Sequence, residues 1–356
     1  MAKDKKPTVW WADNGQRFGT YVGHDGAVMQ VRIIPYFTSG ATHHAPPIPR
    51  IPISPICFSS PPPPFPPPPH PRRHLPPDCP LQCAVKADSS RLLTSSADST
   101  VRLWNVTSGE EYYKWEFHAP SRSVSLSLGE ELAVTTQDQF MQRKAQISVL
   151  KLAEDPHDQG TGVYANPIQT IEMTNVAGRH ITRAAFSPAN DTILTCHDDG
   201  HIRRWDTETG KLLADKKIHD KIINDMRFSN DYTHFITAST DGRGRIVDTE
   251  TLEVLKTYET QRPCNSAAIC PIHDHVVVCG GQDAASVTTT TARSGKFESL
   301  FYHKIYEEEF GQVRGHFGPV NSVCYSPDGK KFVTGGEDGY VRLATFDSDY
   351  HTTKFF

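Results

Sequence analysis

The 356-residue sequence predicts an all-β fold, a seven-bladed β-propeller, on the basis of three observations. A histidine precedes an aspartate by 22 residues at His219 and Asp241, and again at His316 and Asp338. A threonine lies four residues before each of these aspartates, and apolar residues alternate with polar ones on either side. Repetition at about 40 residues is typical of propeller blades, each of which is a small antiparallel sheet.

Four segments carry the repeated residues, and each predicts a hydrogen-bonded set inside one blade. We expect the threonine on the second strand, the aspartate in the following turn and the tryptophan on the third strand. A nearly buried aspartate must be paired, and the histidine and threonine supply its partners. This is the WD-repeat pattern. The predicted structural sets are His24, Thr94, Asp98 and Trp104; Thr195, Asp199 and Trp205, with Ala177 in place of the histidine; His219, Thr237 and Asp241, with Val247 in place of the tryptophan; and His316, Thr334 and Asp338, with Ala344 in that place.

The blade count rests on two further kinds of unit. Residues 121–155 and 262–295 keep the strand alternation without a tryptophan. Complete units therefore begin near residues 24, 118, 177, 219, 262 and 315, after a partial unit at 1–23. Asp4 and Trp10 keep the repeat interval in that partial unit, but only three residues precede Asp4. The sequence therefore predicts a first blade truncated at the N-terminus.

A proline-rich block interrupts the second unit. His24 lies 74 residues before Asp98, and removal of residues 31–82 restores the interval of 22. The block holds 18 of the 27 prolines and would split an inner strand between Gln30 and Cys83. We predict a propeller of residues 1–30 and 83–356 with a disordered insertion at 31–82, and our hypothesis is a retained in-frame intron or a gene-model error. A polyproline arm that binds SH3 or WW domains is the alternative.

The residues predict no catalytic, cofactor or metal site. His316, Thr334 and Asp338 resemble a triad in composition, but the set recurs in other blades, which catalysis does not require. His70, His74, Cys79 and Cys83 could be drawn as a zinc site, yet four prolines lie between the first and the last of them. The net charge of −4 provides no basic field for nucleic acid or membranes, and we expect a cytoplasmic protein with reduced cysteines.

Segments outside the repeat skeleton resemble one family. WWADNGQRFGTYVGHDGAV, VTTTTARSGKFE and FYHKIYEEE are similar to subunit I of eukaryotic translation initiation factor 3, and the likeness spans residues 1–30 and 83–356. The resemblance implies a non-catalytic scaffold that binds subunits B and G of the same factor. It also implies that the assembled factor supports recruitment of initiator tRNA and mRNA to the small (40S) ribosomal subunit, without direct sequence-specific nucleic-acid binding and without a membrane.

No short motif defines the residues that contact these partners. The alternative is a generic WD-repeat adaptor, such as a ubiquitin-ligase or receptor-kinase-interacting scaffold. Such an adaptor would share the fold but not the FYHKIYEEE segment.

Overall fold

The computed structural model describes residues 6–10, 17–25, 82–173, 180–281, 297–347 and 349–350. Strands dominate these ranges. They form six sheets of three or four strands in a six-bladed β-propeller arrangement, together with one two-stranded sheet. This confirms the all-β propeller class.

The sheets are numbered I to VII in chain order, and the strands of each are antiparallel neighbours in sequence order. Sheet I contains β1 (Thr8–Trp10) and β2 (Arg17–Thr20). Sheet II contains β3 (Cys83–Val85), β4 (Arg91–Ser95), β5 (Thr100–Asn105) and β6 (Glu111–Glu116). Sheet III contains β7 (Ser121–Leu126), β8 (Leu132–Gln137), β9 (Gln146–Lys151) and β10 (Gln169–Glu172). Sheet IV contains β11 (Ile181–Phe186), β12 (Thr192–His197), β13 (His201–Asp206) and β14 (Leu212–Lys217).

The remaining sheets continue the series. Sheet V contains β15 (Ile223–Phe228), β16 (His234–Ser239), β17 (Arg243–Asp248) and β18 (Val254–Glu259). Sheet VI contains β19 (Cys264–Ile269), β20 (His275–Gly280), β21 (Glu298–His303) and β22 (Glu309–Arg314). Sheet VII contains β23 (Val320–Tyr325), β24 (Lys331–Gly336) and β25 (Val341–Thr345). Two short 3₁₀ helices, Pro156–Asp158 and Gly162–Tyr164, lie between β9 and β10.

The hairpins between third and fourth strands explain the repeated glycine. Gly109 and Gly210 have φ angles of +76° and +68°, in the left-handed region that a residue with a Cβ atom rarely adopts. Each lies five residues after a tryptophan. The glycine therefore belongs to the turn that starts the outer strand.

The core is divided among the junctions between consecutive sheets. Tyr21 of the first unit packs with Trp104 of sheet II, and five further apolar clusters join sheets II to VII in series. Burial of both faces in this way removes apolar area from water at each junction, and this area is the main source of stability in a repeat fold.

The inner strand of sheet II is shorter than its counterparts. β3 has three residues, whereas β7 and β15 have six. All the described residues belong to one compact unit of the chain. Residues 26–81 lie outside the described residues, so the structure does not test the disorder predicted there. The same holds for three of the four residues of the zinc alternative, His70, His74 and Cys79. Gln82, which the sequence places at the end of the insertion, is described and buried.

The six described cysteines are free thiols, and five of them are buried. Among the described residues, no helix has the length and apolar character needed to cross a membrane.

Candidate functional site

Sheet II brings its four predicted residues together in one chain of hydrogen bonds. The Trp104 indole N–H donates to Thr94 Oγ1 at 2.8 Å. Thr94 Oγ1 lies 2.6 Å from Nε2 of His24, and Nδ1 of that ring lies 2.9 Å from Asp98 Oδ2. Because the carboxylate can only accept, Nδ1 carries the proton and the threonine hydroxyl donates to Nε2. Every polar side chain of this set has a partner although the set is buried.

Asp98 is stabilised in its charged form by these contacts. Burial alone would raise the pKa of the Asp98 carboxyl, but hydrogen bonds from His24, Thr100 and the Asp25 backbone outweigh it. The pKa therefore lies well below its usual range. The Asp25 backbone N–H donates to the same carboxylate at 2.9 Å and ties the loop to the turn.

Sheets V and VII repeat the arrangement without the tryptophan. His219 lies 2.9 Å from Asp241 and 2.8 Å from Thr237. In sheet VII the corresponding distances from His316 are 3.0 Å to Asp338 and 2.8 Å to Thr334. Val247 and Ala344 occupy the third-strand position, as the sequence indicates.

Sheet IV brings together only two of its three predicted residues. The Trp205 indole N–H donates to Thr195 Oγ1 at 2.9 Å. Asp199 does not join them, because it forms an ion pair with Arg203 at 2.6 Å. Nε2 of His197 lies 2.8 Å from Thr195 Oγ1 and takes the place that the loop histidine has in sheet II. Ala177, which replaces that histidine in the sequence, lies outside the described residues.

His197 is a residue that the sequence reasoning missed, although a signal was present. The position two residues after the threonine is Ser96, Ser239 or Gly336 where a loop histidine is present. A Cβ atom on Gly336 would lie 2.4 Å from Nδ1 of His316, so a large side chain at this position and a loop histidine exclude each other. In a unit without a loop histidine, a histidine at this position is therefore expected to bond the threonine hydroxyl in its place.

The inner strands contribute a second polar cluster, the central ring, which the sequence reasoning also missed. Its members occupy equivalent positions, five on inner strands and one immediately before β3, and each is at most 4% exposed. They are Gln82, Ser123, Arg183, Asp225, Ser266 and Ser322. Ser123 Oγ donates to Gln82 Oε1 at 2.7 Å, and the Ala184 backbone N–H donates to Ser123 Oγ at 3.1 Å. The ring therefore links sheets II, III and IV through side chains as well as through apolar packing.

Asp225 is the buried charge at the centre of this ring. It accepts from Nε of Arg183 at 2.9 Å, from Nε of Arg227 at 3.1 Å and from Ser266 Oγ at 2.5 Å. Burial would raise the pKa of the Asp225 carboxyl, but the charges of Arg227 and Arg183 outweigh it and lower the pKa. The sequence analysis did not predict this buried acid on an inner strand.

Polar side chains on and beside sheet VI have partners of their own. Asp274 pairs with Lys304 at 2.8 Å, His275 lies 2.7 Å from the Tyr350 hydroxyl, and Glu307 pairs with Lys256 at 3.1 Å. Within the described ranges, no group of three histidine, cysteine, aspartate or glutamate residues could hold a metal ion.

Comparison with known proteins identifies one family. The EIF3I family model matches residues 81–355. A protein of Drosophila willistoni is 37% identical over 355 residues, which is 99% of this chain and 92% of the relative. Relatives from Culex quinquefasciatus and Bombyx mori are 35% and 36% identical, over 99% of this chain and 91% and 90% of their own lengths. Each of the three is named eukaryotic translation initiation factor 3 subunit I.

Proposed function

The chain belongs to the family of eukaryotic translation initiation factor 3 subunit I, and on this premise we propose that it is a non-catalytic scaffold subunit of that factor. The observation that carries the proposal is the likeness over 99% of the chain to relatives of that name. The subunit supports recruitment of initiator tRNA and mRNA to the small ribosomal subunit.

The repeated histidine, threonine, aspartate and tryptophan sets are structural in this proposal. Two observations support this role. The same donors and acceptors recur in sheets II, V and VII, and His24 and His219 are at most 5% exposed. A group that reacts with substrate must be accessible to it and is required only once in the protein. A group that holds a turn against the next strand recurs in every repeat.

The partners are subunits B and G of the same factor, and the small ribosomal subunit through the assembled complex. The protein acts in the cytoplasm. A rigid series of sheets suits this role, because partner strands or helices can bind along sheet edges and rims without distortion of the core. In this proposal sheet I, with β1 and β2, belongs to a seventh blade.

We propose that the insertion at 31–82 is a retained intron or a gene-model error. The identity of Gln82 supports this hypothesis. Gln30 and Gln82 are both glutamine, so removal of residues 31–82 gives the same sequence as removal of 30–81. The shortened chain therefore keeps a glutamine at the position where Gln82 accepts a hydrogen bond from Ser123.

Removal of residues 31–82 tests this hypothesis. We expect the shortened chain to melt at a higher temperature than the full chain, because the inner strand of sheet II would regain its three missing residues. Differential scanning calorimetry of both chains measures this. An unchanged or lower melting temperature, with partner binding lost, would favour a functional proline-rich arm.

Affinity purification from cytosol tests the scaffold role. The tagged full chain should recover subunits B and G and the small ribosomal subunit. Lys217→Ala, at an exposed side chain of β14, is the matched control and should recover the same set. Trp205→Ala, which removes a core side chain, should recover less. Recovery of ubiquitin-ligase components or receptor kinases instead would identify the generic adaptor.

A further inference from the structure

The chain beyond β25 turns back over the junction between sheets VI and VII. The Phe346 N–H donates to the Lys330 carbonyl at 2.9 Å and ties the end of β25 to the residue before β24. The Tyr350 N–H then donates to the Asp347 carbonyl at 3.1 Å, which closes a turn within the segment. We call the four residues Phe346, Asp347, Asp349 and Tyr350 the clasp. The clasp continues the chain as a turn and not as a strand.

Two aromatic rings hold the clasp in place. The rings of Phe346 and Tyr350 are stacked, with centroids 4.0 Å apart and an angle of 12° between their planes. Phe346 packs against the apolar cluster between sheets VI and VII, and its ring centroid lies 5.8 Å from that of Phe301 and 5.2 Å from that of Phe332. Because Tyr350 is held by side-chain contacts, its end of the clasp can leave the surface without loss of a strand from either sheet.

The Tyr350 hydroxyl makes a polar contact with sheet VI. It lies 2.7 Å from Nδ1 of His275 on β20, and the two ring centroids are 5.2 Å apart. Burial, together with the charges of His273 and His303, lowers the pKa of His275 to about 4, so this imidazole is neutral at neutral pH. Burial also raises the pKa of the Tyr350 phenol. The closed clasp therefore disfavours a negative charge on the phenol oxygen.

The residues before Tyr350 suit a tyrosine kinase that prefers acidic substrates. Asp347 and Asp349 are exposed, and no lysine or arginine lies between Arg342 and Lys354. An acidic segment complements a basic substrate cleft. The Tyr350 side chain is half-buried, so a kinase reaches its hydroxyl when the clasp opens by local unfolding.

We propose that Tyr350 is a phosphorylation site and that its modification releases the clasp from sheets VI and VII. A protein tyrosine kinase transfers the γ-phosphoryl group of ATP to the phenol oxygen. The new bond joins this oxygen to phosphorus, the bond from the γ-phosphorus to the bridging oxygen breaks, ADP leaves, and the phenol proton passes to the base of the kinase. The modified side chain carries a charge of about −2 at neutral pH.

The phosphate group does not fit the closed clasp. It would place this charge beside the neutral His275 imidazole, at a site where burial already opposes a single negative charge. Lys304, which follows His303, already pairs with Asp274 at 2.8 Å. The modified chain therefore populates the open clasp, and removal of the phosphate by a phosphatase restores the closed one. This switch is independent of the scaffold role and leaves sheets II to V unaltered.

Phosphorylation of the purified full chain tests the site. A recombinant tyrosine kinase that prefers acidic substrates is supplied with ATP and either the chain or a synthetic peptide of residues 343–354, and mass spectrometry follows the phosphate on Tyr350. The peptide should react about tenfold faster or more, because the clasp is closed most of the time, and the chain should reach the same final extent. Absence of phosphate from Tyr350 of the chain would overturn the proposal, whether or not the peptide reacts.

The His275 imidazole reports whether the clasp is released. In the phosphorylated chain its pKa, followed by NMR, should rise from about 4 towards the ordinary value of about 6.5, and phosphatase treatment should reverse the rise. Tyr350→Phe keeps the stacked ring but cannot take the phosphate, so kinase treatment should leave its His275 unchanged. Tyr340→Phe, at an exposed tyrosine outside the clasp, is the matched control and should respond like the unaltered chain. An unchanged His275 in a chain phosphorylated at Tyr350 would show that the clasp stays closed and refute the switch.

Discussion

Sheets II and IV hold a tryptophan in the same way but support the threonine differently. In both, the indole N–H donates to a threonine hydroxyl, at 2.8 Å from Trp104 and at 2.9 Å from Trp205. In sheet II the next group is His24, which comes from a loop before the sheet. One nitrogen of its ring bonds the threonine, and the other bonds Asp98. In sheet IV it is His197, from the same strand as the threonine, and its Nδ1 is buried without a hydrogen bond to any residue that the structure describes.

The difference shows which part of the repeat the fold requires. The hydrogen bond between threonine and tryptophan is present in both sheets. The imidazole that bonds the threonine comes from the preceding loop in one sheet and from the threonine's own strand in the other. The burial of the turn aspartate depends on whether a loop histidine is present. The Asp98 side chain is 9% exposed beside His24, whereas the Asp199 side chain is 22% exposed beside Arg203. The aspartate at this repeat position therefore has different energetic roles in two units of one chain.

The largest expected effect tests what the two sheets share. Trp104→Ala and Trp205→Ala should each lower the free energy of unfolding by about 3–5 kcal/mol, because each leaves a cavity and removes one hydrogen bond to a buried threonine hydroxyl. Urea denaturation of both variants measures the loss. A loss below about 1 kcal/mol in either would mean that the threonine bond does not hold the tryptophan.

The aspartates should separate the two sheets. We expect Asp98→Ala to cost about 3 kcal/mol, because it leaves His24 and a backbone N–H without their acceptor in a buried site. Asp199→Ala should cost about 1 kcal/mol or less, because Arg203 keeps Asp215 as a partner. Equal losses in urea denaturation would remove the distinction between the sheets.

A smaller effect tests the exclusion between the loop histidine and a large side chain on the second strand. Gly336→Ala should destabilise by about 2 kcal/mol, because the new methyl group would displace His316. Gly311→Ala is the control, since no atom lies within 4 Å of its added Cβ. Thermal melting of both variants, and the His316 imidazole resonances, measure the difference. An undisturbed His316 in Gly336→Ala would contradict the exclusion.

The smallest expected effect is a pH dependence of the free energy of unfolding, which in this comparison arises only from sheet IV. Burial lowers the pKa of His197 to about 3, so His197 is neutral in the folded chain and charges near pH 6.5 in the unfolded one. Its contribution to stability is complete above pH 6.5 and declines as the pH falls towards 3. Asp98, with a lowered pKa, keeps its contribution over that window.

His197→Gln should therefore reduce the loss of stability between pH 7 and pH 5 by about 1–2 kcal/mol relative to the unaltered chain. Urea denaturation at both pH values measures the change. The other histidines with lowered pKa, such as His275, are present in both chains and cancel in the difference. Equal losses in both chains would mean that His197 is not neutral and buried as described.

Spacing predicted the fold class and the sets of sheets II, V and VII, because 22 residues separate the loop histidine from the turn aspartate in sheets V and VII, and also in sheet II once residues 31–82 are left out. It could not predict the partner of Thr195, because Ala177 removes the histidine that spacing detects. It also missed Asp225. A single buried acid among inner strands of mostly small residues has no periodic signal, and its partners come from strands elsewhere in the chain.

The central ring has a consequence for folding kinetics. Each sheet is built from hairpins whose strands are close in sequence, so sheets can form early and independently. The bonds of the ring join distant residues: Arg227 donates to Ser322 across 95 positions, and Ser266 to Asp225 across 41. We expect such contacts to form late in folding, after most loop-closure entropy has been lost. Loss of Asp225 should therefore raise the unfolding rate more than it lowers the folding rate.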